Sequence, residues 1–476
     1  MSRGDNLACA AQATRAPEPI LPTHCTAERG ADSSRREESY HECDEFHHLG
    51  AKYHRGNFDH AANPFTRYTR FMEQLALREL HHELNARFAE LNGMESVADY
   101  GDMLAEHAAL RGSAGVLDLG FRGRLCLTGA DRVRFLHGQV TNDVKRLRVG
   151  EGCYAALVTA KGKMESDLNI FNLQDELLLD FEPGLTAKIS ARLEKFIVSD
   201  DVQIVDAAPH YGLLSVQGPQ AEAVVRSLGI FSEIPARPFD SLKISDTTLG
   251  EVYLVNQPRI FLPLPAQNER GEGQLGKSNL LTPALSSPGG GEGGGTEPSK
   301  LSGSGFDLFV PTQSLGAVAD KLIAAAKVVG GRACGWQAFE IARLEAGIPR
   351  YGADMDESNL PLEAGLESRA VSYSKGCYIG QEVLNRIHSI GQVAKEWRGL
   401  RLADELAALP LKGDKLFHAG KEVGYITSAF KSPALKKNLA LGYVRKEVNQ
   451  LGTELSLHVA GSESPARIVA LPFAQE

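Results

Sequence analysis

The chain has 476 residues, of which 43% are hydrophobic and 23% are charged, a composition typical of a globular protein with two or more domains. The formal net charge is -9, and this acidic balance argues against direct binding of nucleic acid and against adhesion to anionic lipid. The sequence contains neither the apolar run of a signal peptide nor a stretch of roughly 18 apolar residues that would span a bilayer. We therefore predict a cytoplasmic protein that does not bind membranes.

The first 65 residues differ from the rest of the chain. Segment 1–65 holds six of the fourteen histidines and three of the seven cysteines, yet it shows neither helical nor strand periodicity, so we predict a disordered leader. The run from His41 to His48 supplies imidazole, thiolate and carboxylate groups, but such clusters in unstructured tails are usually incidental, so no metal site is predicted. The odd number of scattered cysteines fits a reducing compartment.

The apolar pattern from residue 70 onward predicts ordered structure. Apolar residues at three- and four-residue steps predict an amphipathic helix over 70–91, and a second helix is predicted over 101–111. Strand-like runs follow at 115–119 and 124–128, and Asp131 is the expected N-cap of the next helix.

The middle of the chain alternates strand-like and helical runs. Between 154 and 255 this mixture predicts an α+β domain built on antiparallel sheet. Residues 263–304 contain ten glycines and no aromatic residue, too little apolar surface to offset the entropy of ordering. Because strand-like runs flank this segment, we predict an insertion in a hairpin loop. Two further helices are predicted over 314–328 and 335–346.

The C-terminal part of the chain has a different pattern. From residue 396 onward, short strand-like pieces separated by turns predict a small antiparallel barrel or sandwich. The predicted organisation is therefore a leader, a core domain over 66–395 that contains the insertion, and a C-terminal domain over 396–476.

The octapeptide Lys-Gly-Cys-Tyr-Ile-Gly-Gln-Glu at 375–382 carries the most distinctive group of polar residues. A thiol acts as a nucleophile or metal ligand only as the thiolate, and Cys377 has a cation, Lys375, two positions before it. The two glycines would let backbone approach a bound molecule, and Gln381 and Glu382 add polar groups. By spacing alone, a cysteine in a glycine-containing loop is more often a small buried residue.

The octapeptide resembles the signature of the YgfZ family, a branch of the GcvT (aminomethyltransferase-like) superfamily. The segments 343–366 and 123–147 resemble the corresponding parts of the superfamily's folate-binding region, and the strands after 396 resemble its C-terminal barrel. The resemblance covers residues 95–476 apart from the insertion. It implies an α+β, GcvT-like folate-binding core with antiparallel sheets and helices around a central channel, plus a small C-terminal antiparallel β-barrel. It also implies tetrahydrofolate or a derivative in the channel.

The resemblance makes Lys375 and Cys377 the expected catalytic pair. Lys375 could lower the pKa of the thiol or attract the glutamate carboxylate of the folate. Cys377 could be a transient iron–sulfur cluster ligand, a redox-active thiol or a nucleophile, and the sequence leaves these open. YgfZ relatives are linked to iron–sulfur cluster maturation and tRNA modification, so iron–sulfur assembly proteins or client enzymes are the implied partners beside folate.

Further residues are expected to bind the folate. Arg343 can pair a carboxylate and Glu345 can accept from pterin N–H groups, although the two could instead form a structural ion pair at a helix end. The Thr-Asn-Asp turn at 141–143 could line the pocket, although turn formation alone explains these residue types. The full set of expected folate-binding residues is Thr141, Asn142, Asp143, Arg343, Glu345, Tyr378, Gln381 and Glu382.

Two other functions remain in competition. The first is that of a true aminomethyltransferase, which moves a one-carbon unit to tetrahydrofolate and needs an acidic residue beside the reacting nitrogen. Those enzymes resemble this chain at 161–171 but carry two adjacent aspartates where this chain has Ser166 and Asp167. With the first position taken as the catalytic one, its missing carboxylate favours the YgfZ function. The second alternative is a folate-sensing scaffold without catalysis.

Overall fold

A computed structural model describes residues 73–260 and 304–474. The predicted leader and the predicted insertion, except for its last residue Ser304, lie outside these described residues. All described residues belong to one compact unit, Tyr68–Glu476. Within the described ranges, no helix is both long and apolar enough to cross a membrane.

The described elements follow one another as short strands and helices. In chain order, those before the insertion are α1 (Arg78–Glu83), β1 (Arg87–Leu91), β2 (Met94–Asp99), α2 (Met103–Gly112), β3 (Gly115–Asp118), β4 (Gly123–Thr128), α3 (Arg132–Gln139), β5 (Gly152–Val158), β6 (Met164–Asn172), β7 (Leu177–Phe181), α4 (Thr186–Glu194), β8 (Gln203–Asp206), β9 (Tyr211–Gly218), α5 (Ala221–Arg226), β10 (Ser241–Asp246) and β11 (Gly250–Asn256). Those after it are β12 (Ser304–Pro311), α6 (Leu315–Val328), β13 (Arg332–Ala333), α7 (Trp336–Glu345), α8 (Glu367–Ala370), α9 (Gln381–Ile390), β14 (Lys395–Leu402), β15 (Lys415–His418), β16 (Lys421–Ser432), β17 (Lys437–Arg445), β18 (Glu454–Val459) and β19 (Ser462–Val469).

The predicted helix over 70–91 is wrong. The structure has the short helix α1 followed by the antiparallel hairpin of β1 and β2. Asn85 has a φ of 59° just beyond α1, and a left-handed residue ends a helix. Asn92 and Gly93, with φ of 53° and 86°, form a two-residue turn that requires positive φ at both positions. Local turn chemistry therefore overrides the helical spacing of the apolar residues.

Two antiparallel sheets form the core and confirm the predicted α+β class. The first has the strand order β5-β6-β7-β4-β8, and the second has the order β10-β11-β12-β9-β3-β13, in which only β13 is parallel to its neighbour. Helices α3 and α4 pack on the first sheet through Leu136 and Leu193, and α5 and α6 pack on the second through Val224 and Leu322. The opposite faces of the two sheets meet each other, where the rings of Phe171 and Phe309 lie 6.2 Å apart.

The other predicted elements of the core are confirmed in outline. Helices α2, α6 and α7 cover the three helices predicted at 101–111, 314–328 and 335–346. Asp131 does precede α3, but its carboxylate accepts from the backbone N–H of Asp201 at 3.0 Å and makes no capping bond to α3. Strands β11 and β12 are antiparallel neighbours, with Asn256 opposite Phe306, so the segment between them does connect a hairpin.

The C-terminal strands form a closed barrel with the order β14-β17-β16-β15-β18-β19. The barrel closes because β14 pairs with both β17 and β19. Its interior is apolar and includes Leu400, Ile426 and Leu457, none of which is exposed to solvent. Closure leaves no unpaired edge strand, which is the usual reason for a small antiparallel sheet to form a barrel.

Candidate functional site

The octapeptide loop is fixed to the C-terminal end of helix α3 by Lys375. The buried Lys375 Nζ donates to the backbone oxygens of His137 at 2.5 Å, Val140 at 2.6 Å and Asn142 at 2.9 Å. These bonds use all three donors of the ammonium and satisfy carbonyls that the end of a helix leaves open. Burial lowers the pKa of Lys375 to about 8. The side chain is therefore directed into the protein, and the ammonium has no donor left for a folate carboxylate.

Cys377 lies in this loop with its side chain exposed. Of the four cysteines in the described ranges, Cys126 and Cys334 are buried, Cys153 is half-buried and Cys377 is exposed. Burial raises the pKa of Cys153 to about 12, so that thiol stays protonated. Among the cysteines of the described residues, Cys377 in the octapeptide loop therefore has the most accessible thiol.

The end of the octapeptide begins helix α9. Gly380, with a φ of 85°, is the N-cap, and a Cβ there would lie 2.5 Å from the Thr159 oxygen, so only glycine fits. Gln381 and Glu382 form the first turn of the helix, half-buried and exposed respectively. Tyr378 is buried, its ring lies 4.7 Å from Lys375 Nζ, and its hydroxyl has no hydrogen-bond partner among the described residues.

The Thr-Asn-Asp turn holds the loop in place through backbone contacts. Thr141 is fully buried, and its hydroxyl donates to the Ala370 oxygen at 2.5 Å. Asn142 donates to the Tyr154 oxygen at 2.8 Å. Both side chains are thus used by the protein, whereas Asp143 has a buried Oδ1 without a hydrogen-bond partner among the described residues.

Arg343 and Glu345 do not pair with each other, because they leave helix α7 in different directions. Arg343 is buried and donates to Glu340 Oε1 at 2.9 Å and to the Asp354 carboxylate. Glu345 is also buried and pairs with His107 Nε2 at 2.9 Å and with Arg111. Each side chain already has charged partners inside the protein, so the structure gives both a packing role.

These two pairings also join the core to the barrel. The hydroxyl of Ser432, on barrel strand β16, donates to Glu345. The hydroxyls of Thr427 and Ser428, on the same strand, donate to Asp354 Oδ1 at 3.0 and 2.6 Å. Two buried carboxylates therefore receive donors from both sides of the junction.

A second group of polar residues, here called the polar seam, lies where the two core sheets face each other. It consists of Tyr154, Asp167, Asn169, Asp180, Gln257, Arg259 and Asp307, with Arg122, Glu182 and Arg350 at one end. The Tyr154 hydroxyl donates to Asp167 Oδ2 at 2.8 Å. Burial and the nearby charge of Glu182 raise the pKa of Asp167 to about 6. Asp167 is nevertheless partly exposed, whereas Asp180 is fully buried.

Strand alternation decides which residue of the pair 166–167 faces the polar seam. Ser166 is fully buried on the helix-covered face of β6, whereas Asp167 lies on the opposite face with Asn169. A carboxylate at 166 would therefore not reach the polar seam. The inference that Ser166 removes the functional carboxylate is corrected by this geometry, because the carboxylate of the seam is Asp167.

The polar seam continues from Asp167 across to the second sheet. Asn169 donates to Asp180 at 2.8 Å and accepts from Gln257 Nε2 at 3.3 Å. Arg259 donates to Asp180 at 2.8 Å and also pairs with Asp307. Although burial works against its charge, Arg122 and Arg259 hold the pKa of Asp180 below its usual range. The charged network thus links β6 and β7 of one sheet to β12 of the other.

One end of the polar seam reaches the loop after α7. Arg122 pairs with Glu182 at 2.6 Å, and Arg350 donates to the other oxygen of Glu182 at 2.9 Å. The Arg350 guanidinium lies 5.3 Å from the Trp336 ring. The Arg369 guanidinium lies 5.3 Å from the centre of the ring of Tyr154, the residue that donates to Asp167. No carboxylate of the described residues is within ion-pair distance of Arg369.

Sequence reasoning did not single out Tyr154, Arg369 or the residues that extend the polar seam. The signal that was available is strand alternation on β6, where Glu165, Asp167 and Asn169 occupy alternate positions. The residues of the polar seam are far apart in the sequence, so their spacing could not predict that they are in contact. In the described ranges, no group of three His, Cys, Asp or Glu side chains is placed to hold a metal, and the His41 to His48 run lies outside those ranges.

Comparison with known proteins gives concordant matches along the chain. The family model described as "GCVT N-terminal domain" matches residues 77–256 and 302–375, and the "Glycine cleavage T-protein C-terminal barrel domain" matches residues 395–475. The chain is 27% identical over 399 residues to an aminomethyltransferase of Shouchella clausii, and the match covers 83% of this chain and 96% of the relative. It is 28% identical over 406 residues to an aminomethyltransferase of Geobacillus kaustophilus, with 84% and 98% covered.

A solved structure agrees with the fold. The glycine cleavage system aminomethyltransferase T from Bartonella henselae is similar with a TM-score of 0.69, at 21% identity, and the match covers 85% of this chain and 98% of that one. The first family model alone matches more than half of the chain. The chain therefore belongs to the GcvT family of aminomethyltransferase-like proteins.

Proposed function

We propose that this chain binds tetrahydrofolate or a derivative in the polar seam and transfers a one-carbon unit in the manner of an aminomethyltransferase. The observation that carries the proposal is the Asp167 carboxylate, which is partly exposed, bonded by Tyr154 and raised in pKa to about 6. A carboxyl group that gains and loses a proton near neutral pH is suited to general acid–base catalysis. The relatives named aminomethyltransferase support the same reaction class.

The polar seam has groups that fit a reduced folate. Gln257 Oε1 and Asp307 Oδ1 are buried acceptors without a hydrogen-bond partner among the described residues, and a pterin offers N–H donors. The Arg369 guanidinium, beside Tyr154, suits the carboxylate of the glutamate tail. The polar seam therefore offers acceptors, from Gln257 and Asp307, and a donor, from Arg369, to a ligand at Asp167.

The proposed roles follow from these contacts. Asp167 takes and returns the proton at the reacting nitrogen, and Tyr154 orients the carboxylate by its hydrogen bond. Asn169 and Asp180 continue the network behind it, so that the polar groups are positioned before a ligand arrives. The bound folate supplies the nitrogen that accepts the one-carbon unit.

The test is transfer from an aminomethylated carrier protein to tetrahydrofolate, followed as methylenetetrahydrofolate and ammonia. We expect activity in the wild type, loss of about a hundredfold or more in Asp167→Asn, and retained activity in Cys377→Ala. Binding of tetrahydrofolate, measured by calorimetry on all three proteins, separates loss of chemistry from loss of binding. A wild type that binds the folate but transfers nothing would contradict the proposal.

A second candidate function is that of the YgfZ branch, and one observation favours it. The octapeptide that resembles the YgfZ signature presents Cys377 as an exposed thiol. In this candidate the folate-bound protein supports iron–sulfur cluster assembly or repair, or tRNA modification, together with cytoplasmic assembly proteins or client enzymes. Cys377 would then act as a transient cluster ligand, a redox-active thiol or a nucleophile.

Complementation separates the candidates. Cells with a folate-dependent cluster-repair defect would be supplied with the wild type, Asp167→Asn or Cys377→Ala. Rescue that needs Cys377 but not transfer activity supports the YgfZ function, and rescue by all three proteins supports a folate-sensing scaffold. No rescue by a wild type that is active in transfer supports the aminomethyltransferase.

A further inference from the structure

The last turn of helix α3 lies against the octapeptide loop and carries a histidine that neither proposed function uses. His137 is 6% exposed, and its Nε2 makes no hydrogen bond with the described residues. That nitrogen lies 3.6 Å from the point that a Cβ on Gly376 would occupy. The free ring nitrogen therefore faces the backbone of the residue that precedes Cys377.

The loop is held on this helix end at two points on either side of the thiol. Lys375 donates to three backbone oxygens at the end of α3, and the Ile379 N–H donates to the Gly138 oxygen at 3.2 Å. Because Cys377 lies between these anchors, the distance over which its backbone can move away from His137 is limited. The backbone at Cys377 is therefore held near the last turn of α3, which carries His137.

The other ring nitrogen of His137 faces a carboxylate. Nδ1 lies 3.4 Å from Asp143 Oδ1, a buried oxygen that has no other partner among the described residues. The backbone N–H of Lys145 also approaches Nδ1, at 3.4 Å, a long and weak contact. An unsatisfied buried carboxylate oxygen costs more than a lengthened amide bond, which favours the proton on Nδ1 and the lone pair on Nε2.

We propose that His137, oriented by Asp143, accepts the proton of the Cys377 thiol, so that the octapeptide loop carries a Cys–His–Asp site for reaction with soft electrophiles. No hydrogen bond joins the Cys377 sulfur to His137 in the structure, so the transfer occurs through one water. The thiol proton moves to Nε2, and the sulfur electron pair forms a bond to the electrophile, whose leaving group departs with its own pair. Cys377, His137 and Asp143 would then have the roles of nucleophile, base and orienting acid in thiol catalysis. It does not depend on Asp167.

The electrostatic surroundings keep His137 in the form that can accept a proton. Burial, first, and the charge of Lys375, second, lower the pKa of His137, while Asp143 opposes and Lys145 adds to the shift. The imidazole is therefore neutral at pH 7. The Tyr378 hydroxyl is also buried without a hydrogen-bond partner among the described residues, and its ring lies 4.7 Å from Lys375 Nζ.

The test is alkylation of the folded full-length protein with iodoacetamide, a reaction that forms a sulfur–carbon bond and releases iodide. Rates at Cys377 are read by peptide mass spectrometry from pH 6 to 9 in the wild type, His137→Gln, Asp143→Asn and Arg146→Gln, an exposed control on the same turn. We expect the rate at pH 7 to fall about tenfold in His137→Gln, less in Asp143→Asn, and not in Arg146→Gln. Cys153, whose thiol stays protonated in the folded protein, should remain unmodified, and its alkylation would report unfolding.

The pH profile of the wild type keeps the proposal testable if a variant fails to fold. An assisted thiol should react at a nearly level rate between pH 7 and 8, whereas an unassisted thiol slows about tenfold for each unit below its ordinary pKa of about 8.5. The reference is the same cysteine in the urea-unfolded chain. Equal rates in folded wild type and folded His137→Gln, or a wild-type profile that matches the unfolded chain, would overturn the proposal.

Discussion

The Tyr154 hydroxyl donates a 2.8 Å hydrogen bond to Asp167 Oδ2 across the antiparallel strands β5 and β6. This bond favours the charged form of the carboxyl and partly offsets the burial that raises its pKa to about 6. Tyr154→Phe should therefore raise the pKa of Asp167 further, by roughly half a unit to one unit. The midpoint of the acid limb of the pH–activity profile, or an NMR titration of the labelled carboxyl, measures the shift. Tyr425→Phe, in the barrel, is the matched control and should leave the midpoint unchanged.

Asp167→Asn should preserve or increase the stability of the folded chain. The folded-state pKa, about 6, lies above the ordinary value of about 3.9, so charging this group costs folding free energy as the pH rises through that window. With allowance for partial exposure, the gain at pH 7 is about 1–2 kcal/mol.

Urea denaturation of the wild type and the Asp167→Asn variant between pH 4 and 7 measures this gain. The wild type should lose stability relative to the variant across that range. Parallel stability curves would show that the carboxyl is not held away from its ordinary ionisation. If the Asp167→Asn variant is more stable than the wild type and has no transfer activity, then Asp167 serves catalysis at a cost in stability.

Lys375→Met should destabilise the protein, because Lys375 bonds to the backbone and not to a ligand. The substitution removes three donors from buried carbonyls at the end of α3, which costs roughly 2–4 kcal/mol in the free energy of unfolding. Lys145→Met, an exposed lysine in the following turn, is the control and should change stability little. If Lys375→Met unfolds at the wild-type denaturant concentration yet loses function, then Lys375 acts on a ligand.

Glu345→Gln should weaken the junction between the core and the barrel. The charge is buried and pairs with Arg111, so its removal leaves this guanidinium uncompensated, at a cost of about 3–5 kcal/mol. Hydrogen exchange in barrel strand β16 should quicken, because Ser432 loses a charged acceptor. Glu447→Gln, on the barrel surface, provides the comparison. Unchanged exchange in β16 would mean that the barrel is held by other contacts.

The sequence was sufficient for elements whose pattern is local. The C-terminal antiparallel strands, the hairpin around the insertion and helices α6 and α7 follow from periodicity and turn residues, and all are present. The pattern left a barrel and a sandwich open, and the family resemblance favoured the barrel. The helix predicted over 70–91 failed because an apolar spacing of three and four residues was followed through Asn85 and the Asn92-Gly93 turn. Turn residues of this kind outweigh a periodic pattern that crosses them.

The candidate site was predictable where adjacent residues define it and not where distant ones do. The octapeptide identified the loop, but the direction of Lys375 depends on carbonyls at 137–142, more than 200 residues earlier. Arg343 and Glu345 are two positions apart on a helix, and such residues do not face each other, which their spacing already indicated. In the same way, Ser166 and Asp167 are neighbours on a strand and must point to opposite faces.

Asp354 and Glu345 each take hydrogen bonds from the barrel strand β16 while they remain ion-paired inside the core. A chain in which the barrel was exchanged for one lacking hydroxyl residues at 427, 428 and 432 would leave both carboxylates short of donors inside the protein. The two segments that family models recognise separately are therefore not interchangeable modules. In evolution or in engineering, a barrel can be transplanted only together with the core residues to which it is bonded.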